Sequence, residues 1–356
     1  MKTREKWIDR WRGILILSIV LRHVAGPGVD RLCSGNAVGA LNTLMTLSIA
    51  FSLPAFFALA GMCYKPNQEW KSFVFRKAER LLLPYAVFAV FSWIVYDAVY
   101  SEWSGVVRQI LTTIMGGQDG RSFKCNSVLW FPPAMFTTLV CYRAIESLAR
   151  SRNALKLLLC LLLLLLRACV IKYKVSFLPW GINGMIWYAP YFIIGTMAKE
   201  WLRSVSAFWL GLVSISLFII LWILASTFPV HPLSAEGFLS IQGCLVNFGM
   251  GISGTFFSVT VARSGVWDRR LIRPIERCLI AIGLASLCIM LMHKFPIVAV
   301  QERIPIIRAM FGADAALAVL GTFFVVAVAT IASYFATVLL RRFAPWAIGE
   351  RPVGGR

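Results

Sequence analysis

The feature that most constrains this chain is a succession of apolar segments, each long enough to cross a lipid bilayer. A transmembrane helix needs about 20 predominantly apolar residues. Ten such segments follow one another with short connections. The sequence therefore predicts an all-α, polytopic membrane protein of about ten transmembrane helices, at 7–26, 41–63, 81–100, 128–148, 154–171, 184–202, 206–228, 240–262, 277–297 and 315–340.

Composition supports the bilayer as the solvent of this chain. Hydrophobic residues make up 59% of the sequence and charged residues only 15%, whereas a soluble domain is about half apolar and about a quarter charged. The short connections leave no room for an attached soluble domain. The whole chain, 1–356, is therefore expected to form a single membrane-embedded domain.

The net charge of +20 invites a nucleic-acid interpretation, since basic patches bind phosphates. Most of the 36 Lys and Arg residues, however, lie on alternate connections, beginning with the N-terminus. This is the positive-inside pattern, and it predicts both termini in the cytoplasm and contacts with membrane lipids rather than nucleic acid. A retained first helix is favoured over a cleaved signal peptide, because Arg22 and His23 directly follow its apolar core.

The first predicted helix carries charged residues that a membrane tolerates poorly. Arg12 and His23 are eleven residues apart, so they differ by about 20° in azimuth and share one helix face. Ionisable residues inside a bilayer are functional candidates by default. Imidazole accepts a proton near neutral pH, which makes His23 a candidate general base. The alternative is a structural histidine, hydrogen-bonded to a neighbouring helix.

Three further segments carry candidate site residues. Arg76 and Arg80 share one face of a basic cytoplasmic connection, where they could grip phosphate or anchor the chain on anionic lipid. Trp130 and Phe131 open the fourth predicted helix and suit either sugar stacking or an interfacial aromatic belt. His293 is expected close to the outer interface, where a histidine costs little, in a supporting role.

Cysteine and motif patterns exclude several classes of site. The nine cysteines show no C-x-x-C or Cys/His spacing, so no metal site is predicted. Cys33 and Cys125 both fall on predicted outer connections, and whether they pair stays open. The sequence has no Walker loop and no G-x-S-x-G elbow.

Taken together and in order, these segments resemble the acyltransferase-3 family of integral-membrane O-acyltransferases. The resemblance covers nearly the whole chain, and the Arg-x10-His spacing in the first helix is its most specific element. The matching positions are Asp9 with Arg12-Gly13 and His23, Pro54 to Gly61, Arg76 to Tyr85, Leu129-Trp130-Phe131, and Ile282-Gly283 to His293.

The segments Pro54-Ala55-Phe56-Phe57 and Trp130-Phe131-Pro132 are most similar to the branch resembling fucose O-acetyltransferases of lipo-oligosaccharide signals. Two positions depart from the family pattern. Ser52 stands where that branch carries a second intramembrane histidine, and Arg22 stands where a small residue is usual.

The resemblance implies a transferase of a bacterial inner membrane. It would move an acyl group, with acetyl expected, from acyl-CoA to a hydroxyl of a cell-surface or secreted glycan or glycolipid. His23 would be the general base and Arg12 would orient it or stabilise charge, with Asp9 as support. Arg76 and Arg80 would hold coenzyme A phosphates. The alternative function is a glycan or glycolipid transporter or flippase, which needs no acyl donor.

Overall fold

The computed structural model describes residues 5–26, 36–65, 68–100, 106–116, 126–149, 152–175, 178–227 and 241–350. Regular secondary structure in these ranges is helical throughout, which confirms the predicted all-α class. Cys33 and Cys125 lie outside the described residues, so their pairing stays open.

The helices are α1 (Lys6–Val24), α2 (Asn36–Met62), α3 (Trp70–Tyr100), α4 (Val106–Ile114), α5 (Phe131–Ala149), α6 (Asn153–Lys172), α7 (Ile182–Ala198), α8 (Trp201–Ser204), α9 (Ala207–Ser226), α10 (Ile241–Arg263), α11 (Arg273–Leu284), α12 (Ser286–Met292), α13 (Lys294–Arg303), α14 (Pro305–Gly312) and α15 (Ala315–Phe343), with 3₁₀ turns at Ser127–Trp130, Gly265–Asp268 and Pro345–Ile348.

Several of these helices are long and apolar enough to cross a membrane. Within the described ranges there are seven, or up to eight if the bent pair α11–α12 counts as one span. Neither α1 nor α7 is among them, because α1 carries charged residues towards both of its ends and α7 has only 17 residues. A multi-span helical membrane protein is therefore confirmed, while the count of ten and the cytoplasmic termini stay predictions.

The chain divides into two compact units. Unit 1 is drawn from Met1–Ala58 and Ala198–Phe335, and unit 2 from Leu59–Met197 and Ala336–Arg356. The helices α2, α7 and α15 contribute residues to both. The prediction of one membrane-embedded domain over 1–356 is neither confirmed nor contradicted by this division.

In unit 1, α1 packs closely against α11 and α10. A Cβ added at Gly13 would overlap the carbonyl oxygen of Leu279, and one added at Gly283 would overlap that of Asp9. Such small residues let membrane helices approach to backbone contact. On another side of α1, the fully buried Trp11 donates its indole Nε1–H to Ser258 Oγ at 2.9 Å. These contacts fix the position of α1 along its axis and its rotation about that axis, relative to α10 and α11.

The ninth predicted span, 277–297, is not one continuous helix. The chain bends by 70° between α11 and α12. At the bend, the backbone N–H of Ala285 bonds to the carbonyls of Ala281 and Ile282, a tightened final turn. Residues 287–292 are apolar, so hydropathy and periodicity gave no warning of the break. His293 follows it, between α12 and α13.

Unit 2 contains a polar cluster among aromatic rings. The Tyr64 hydroxyl and Arg143 Nη1 both donate to Glu146 Oε2, each at 2.8 Å, and Glu146 is only 4% exposed. Burial and the bond to Glu146 raise the pKa of Tyr64, so the phenol remains a donor. Arg143 also donates to the backbone carbonyl of Gln68. The cluster thereby holds Tyr64 and Gln68 against α5.

Candidate active site

Two imidazoles meet in unit 1. His23 lies in the last turn of α1 and is partly exposed. Its ring centroid is 5.0 Å from that of His293, with the ring planes tilted by 45°. His293 reaches this position because α12 turns away from the axis of α11 at Ala285. A pair of imidazoles at this separation suits the handling of a proton.

The side chain of His293 is fully buried within the protein. Its expected position near the outer interface stays a prediction. Its Nδ1 is 2.9 Å from the carbonyl oxygen of Ile289, and its Nε2 is buried with no hydrogen-bond partner among the described residues. His293 is enclosed in this way because the helix breaks at Ala285, and a continuous helix would not have this break.

A further residue, missed in the sequence, holds the last turn of α1. Gln301 of α13 is 8% exposed and donates Nε2–H to the carbonyl oxygen of Val24 at 2.9 Å. The last four carbonyls of a helix lack intrahelical partners, so this bond satisfies one of them. No sequence pattern relates position 301 to position 24, and only the folded structure reveals the contact.

At the other end of α1, Asp9 and Arg12 form an ion pair. Asp9 is 3% exposed, and its Oδ1 lies 3.2 Å from Arg12 Nη1. The side chain of Arg12 is 31% exposed. The buried carboxylate therefore orients a cation that remains accessible. Arg12 and His23 thus stand near opposite ends of one helix, as their spacing predicts.

The candidate donor-binding residues lie on α3 of unit 2. Arg76 and Arg80 are both exposed. Arg76 Nη2 donates to Gln68 Oε1 at 3.0 Å, and Gln68 belongs to the segment held by Arg143. Gly349 has φ +68° and packs against the backbone of Glu79 and Arg80. Exposure suits either phosphate binding or a lipid anchor, so both interpretations stay open.

The two aromatic candidates occupy different environments in unit 2. Trp130 is partly exposed and stacks on Tyr188, with centroids 5.7 Å apart and planes within 23°. Gly184 makes room for this ring, since a Cβ there would lie 2.7 Å from Trp130 Cζ3. Phe131 is 6% exposed and belongs to the core. Trp130 is therefore the better placed of the two to meet a ligand.

The donor set for metals is limited. Across the ranges that the structure describes, no group of three or more His, Cys, Asp or Glu side chains is arranged to hold a metal ion. The two imidazoles of unit 1 stand as a pair.

These features define a multi-helix membrane protein whose first helix carries an ion pair at one end and an imidazole pair at the other. The acyltransferase-3 family model, described as an acyltransferase domain, matches residues 5–341. The chain belongs to the acyltransferase-3 family, which makes it a membrane acyltransferase. Neither a curated protein nor a solved structure significantly matches it. The fucose O-acetyltransferase-like branch stays a prediction.

Proposed function

We propose that this protein is an O-acyltransferase that uses acyl-CoA to acylate a hydroxyl group of a cell-surface or secreted glycan or glycolipid. Acetyl is the expected acyl group, and a bacterial inner membrane the expected location. The observation that carries the proposal is the partly exposed His23 beside the buried His293, in a chain of the acyltransferase-3 family.

His23 acts as the general base in this proposal. It takes the proton of the acceptor hydroxyl as the hydroxyl oxygen attacks the thioester carbonyl carbon. The tetrahedral intermediate then collapses, the carbon–sulfur bond breaks, and the departing thiolate receives the proton from His23. The products are the acyl ester and free coenzyme A, so atoms and charge balance. General base catalysis of this kind contributes about 10²–10⁴ in rate.

The other site residues take supporting roles. Arg12, oriented by Asp9, supplies positive charge along the acyl path. Arg76 and Arg80 hold coenzyme A phosphates through charge-assisted hydrogen bonds. Trp130 offers a partly exposed aromatic face on which a sugar ring can stack.

Mass spectrometry of surface glycans tests this function. Cells with and without the gene are compared, and complementation with His23→Ala is the matched control. We expect one glycan to lose the mass of a single acyl group in both the deletion strain and the His23→Ala strain. If glycan composition is unchanged but surface glycan disappears, the transporter or flippase function replaces the proposal.

A further inference from the structure

The hydrogen-bond partner of His293 determines which of its nitrogens carries the proton. Nδ1 lies 2.9 Å from the carbonyl oxygen of Ile289, which also accepts the backbone N–H of His293 at 3.0 Å. A carbonyl oxygen can only accept, so Nδ1 must be the donor. In a neutral imidazole the other nitrogen then holds the lone pair. Nε2 of His293 is therefore an acceptor.

This acceptor is enclosed without a donor. His293 is fully buried, and none of the described residues donates to its Nε2. Leaving a buried acceptor unsatisfied is costly, and such groups in native proteins usually have a purpose. The imidazole of His23 lies beside that of His293, at a ring-centroid separation of 5.0 Å. Two imidazoles joined by one N–H···N bond have their centroids about 5 Å apart.

We infer that His293 is a positioning residue for His23. Its Nε2 accepts an N–H of His23 after a turn of the His23 ring about its Cβ–Cγ bond, which removes the 45° tilt between the rings. The other nitrogen of His23 then holds the lone pair. That nitrogen takes the proton of the acceptor hydroxyl, while His293 stays neutral and bonds to the imidazolium that forms.

This inference rests on the proposed function and adds His293 to it as the residue that orients the general base His23. Bases in acyl-transfer enzymes are commonly oriented by a further group that selects one tautomer. Here the orienting group is a neutral imidazole. The burial of the two residues agrees with these roles, because His23, the base, is partly exposed and His293, the orienting residue, is fully buried.

The backbone around the pair is fixed from both sides. Gln301 holds the carbonyl of Val24, the residue after His23, at 2.9 Å. The carbonyl of Ile289 holds the ring of His293. The first contact joins α13 to α1, and the second lies within the last turn of α12. The separation of the two rings is therefore set by the packing of α1 against α12 and α13.

Three substitutions of the full-length protein test the inference. His293→Asn can still donate to the Ile289 carbonyl but has no acceptor at the Nε2 position. His293→Gln reaches that position with an amide oxygen, and His293→Ala removes both groups. We expect kcat to fall about 10²–10⁴-fold in the Ala and Asn variants, with KM for acyl-CoA within twofold of wild type. The Gln variant should retain at least tenfold more activity than the Asn variant.

Equal activity of the Gln and Asn variants, or wild-type kcat in the Ala variant, would overturn the inference. A purely structural role predicts that all three variants lose thermal stability and activity together. Histidine ¹⁵N spectra of the wild type provide a second readout. His293 should appear as the Nδ1–H tautomer, and the Nε2–H tautomer would contradict the inference.

The failure of this inference can be told apart from failure of the proposed function. If His23→Ala is inactive and His293→Ala is not, only the orienting role of His293 is lost. If His23→Ala itself transfers acyl groups at the wild-type rate, the base assignment fails first. Both variants are compared at equal membrane content.

Discussion

The backbone carbonyl of Asp9 in α1 lies directly against Gly283 in α11, with no space for a side chain between them. Gly283 is followed by the bend at Ala285, so the same contact that joins the two helices also fixes where α12 departs. The position of His293 beside His23 therefore depends on a glycine that makes no contribution to the chemistry itself.

Gly283→Ala should push α1 and α11 apart. A methyl group placed against a backbone carbonyl cannot be absorbed by a rotamer change, so we expect a loss of about 1–3 kcal/mol in stability. Acyl transfer should fall with it, since the imidazole pair loses its spacing. Gly39→Ala is the matched control, because a Cβ at that helical glycine meets nothing within 4 Å. Thermal unfolding of both purified proteins checks the difference, and equal melting temperatures would refute the close contact.

The two arginines of α3 should contribute to donor binding. Replacing Arg76 and Arg80 by Ala removes charge-assisted contacts to phosphate, each worth about a tenfold change in affinity or more. Calorimetry with acyl-CoA measures the effect. The exposed pair Arg269 and Arg270 is the matched control. Equal donor affinity in both double variants would show that Arg76 and Arg80 serve only as lipid anchors.

Arg12 should not be replaceable by lysine. Asp9 is 3% exposed, and its Oδ1 accepts from Nη1 of the planar Arg12 guanidinium. An ammonium group preserves the charge but not that geometry. We expect Arg12→Ala to abolish turnover and Arg12→Lys to restore little of it, as measured by steady-state transfer. Full activity of Arg12→Lys would mean that charge alone is required.

The topology prediction can be tested independently of activity. Positive-inside charge predicts cytoplasmic reporters after Arg150 and Arg356, and an external reporter within 101–127. Phosphatase and fluorescent-protein fusions distinguish the two sides. A C-terminal fusion that is active outside the cell would rule out an even number of spans with a cytoplasmic N-terminus.

Much of the fold follows from apolar runs, because burial in lipid imposes a length and a composition. The predicted segments at 154–171, 206–228 and 240–262 lie within two residues of the observed ends of α6, α9 and α10. By contrast, α3 begins at Trp70 rather than at 81, since its basic first turns continue the helix beyond the apolar part. Hydropathy reports the part of a helix suited to lipid, not its full length.

The sequence predicts the residues of the candidate site, and their roles stay predictions, whereas their geometry came only from the structure. The spacing of Arg12 and His23 predicts one helix face, and charges inside that helix indicate a functional role. The partnership of His23 with His293 depends on a bend within an apolar run, and the bond from Gln301 to Val24 depends on tertiary packing. Such contacts carry no local pattern in the sequence.

The central claim is that His23 is the general base, and single-turnover acyl transfer by purified protein tests it most directly. Wild-type and His23→Ala proteins, matched in membrane insertion and in acyl-CoA affinity, are mixed with acyl-CoA and the glycan acceptor. Because removing a polar group from a membrane helix does not impair insertion, the variant should fold and bind donor normally. We expect its transfer rate to fall by about 10²–10⁴-fold. Transfer by His23→Ala at near the wild-type rate would contradict it.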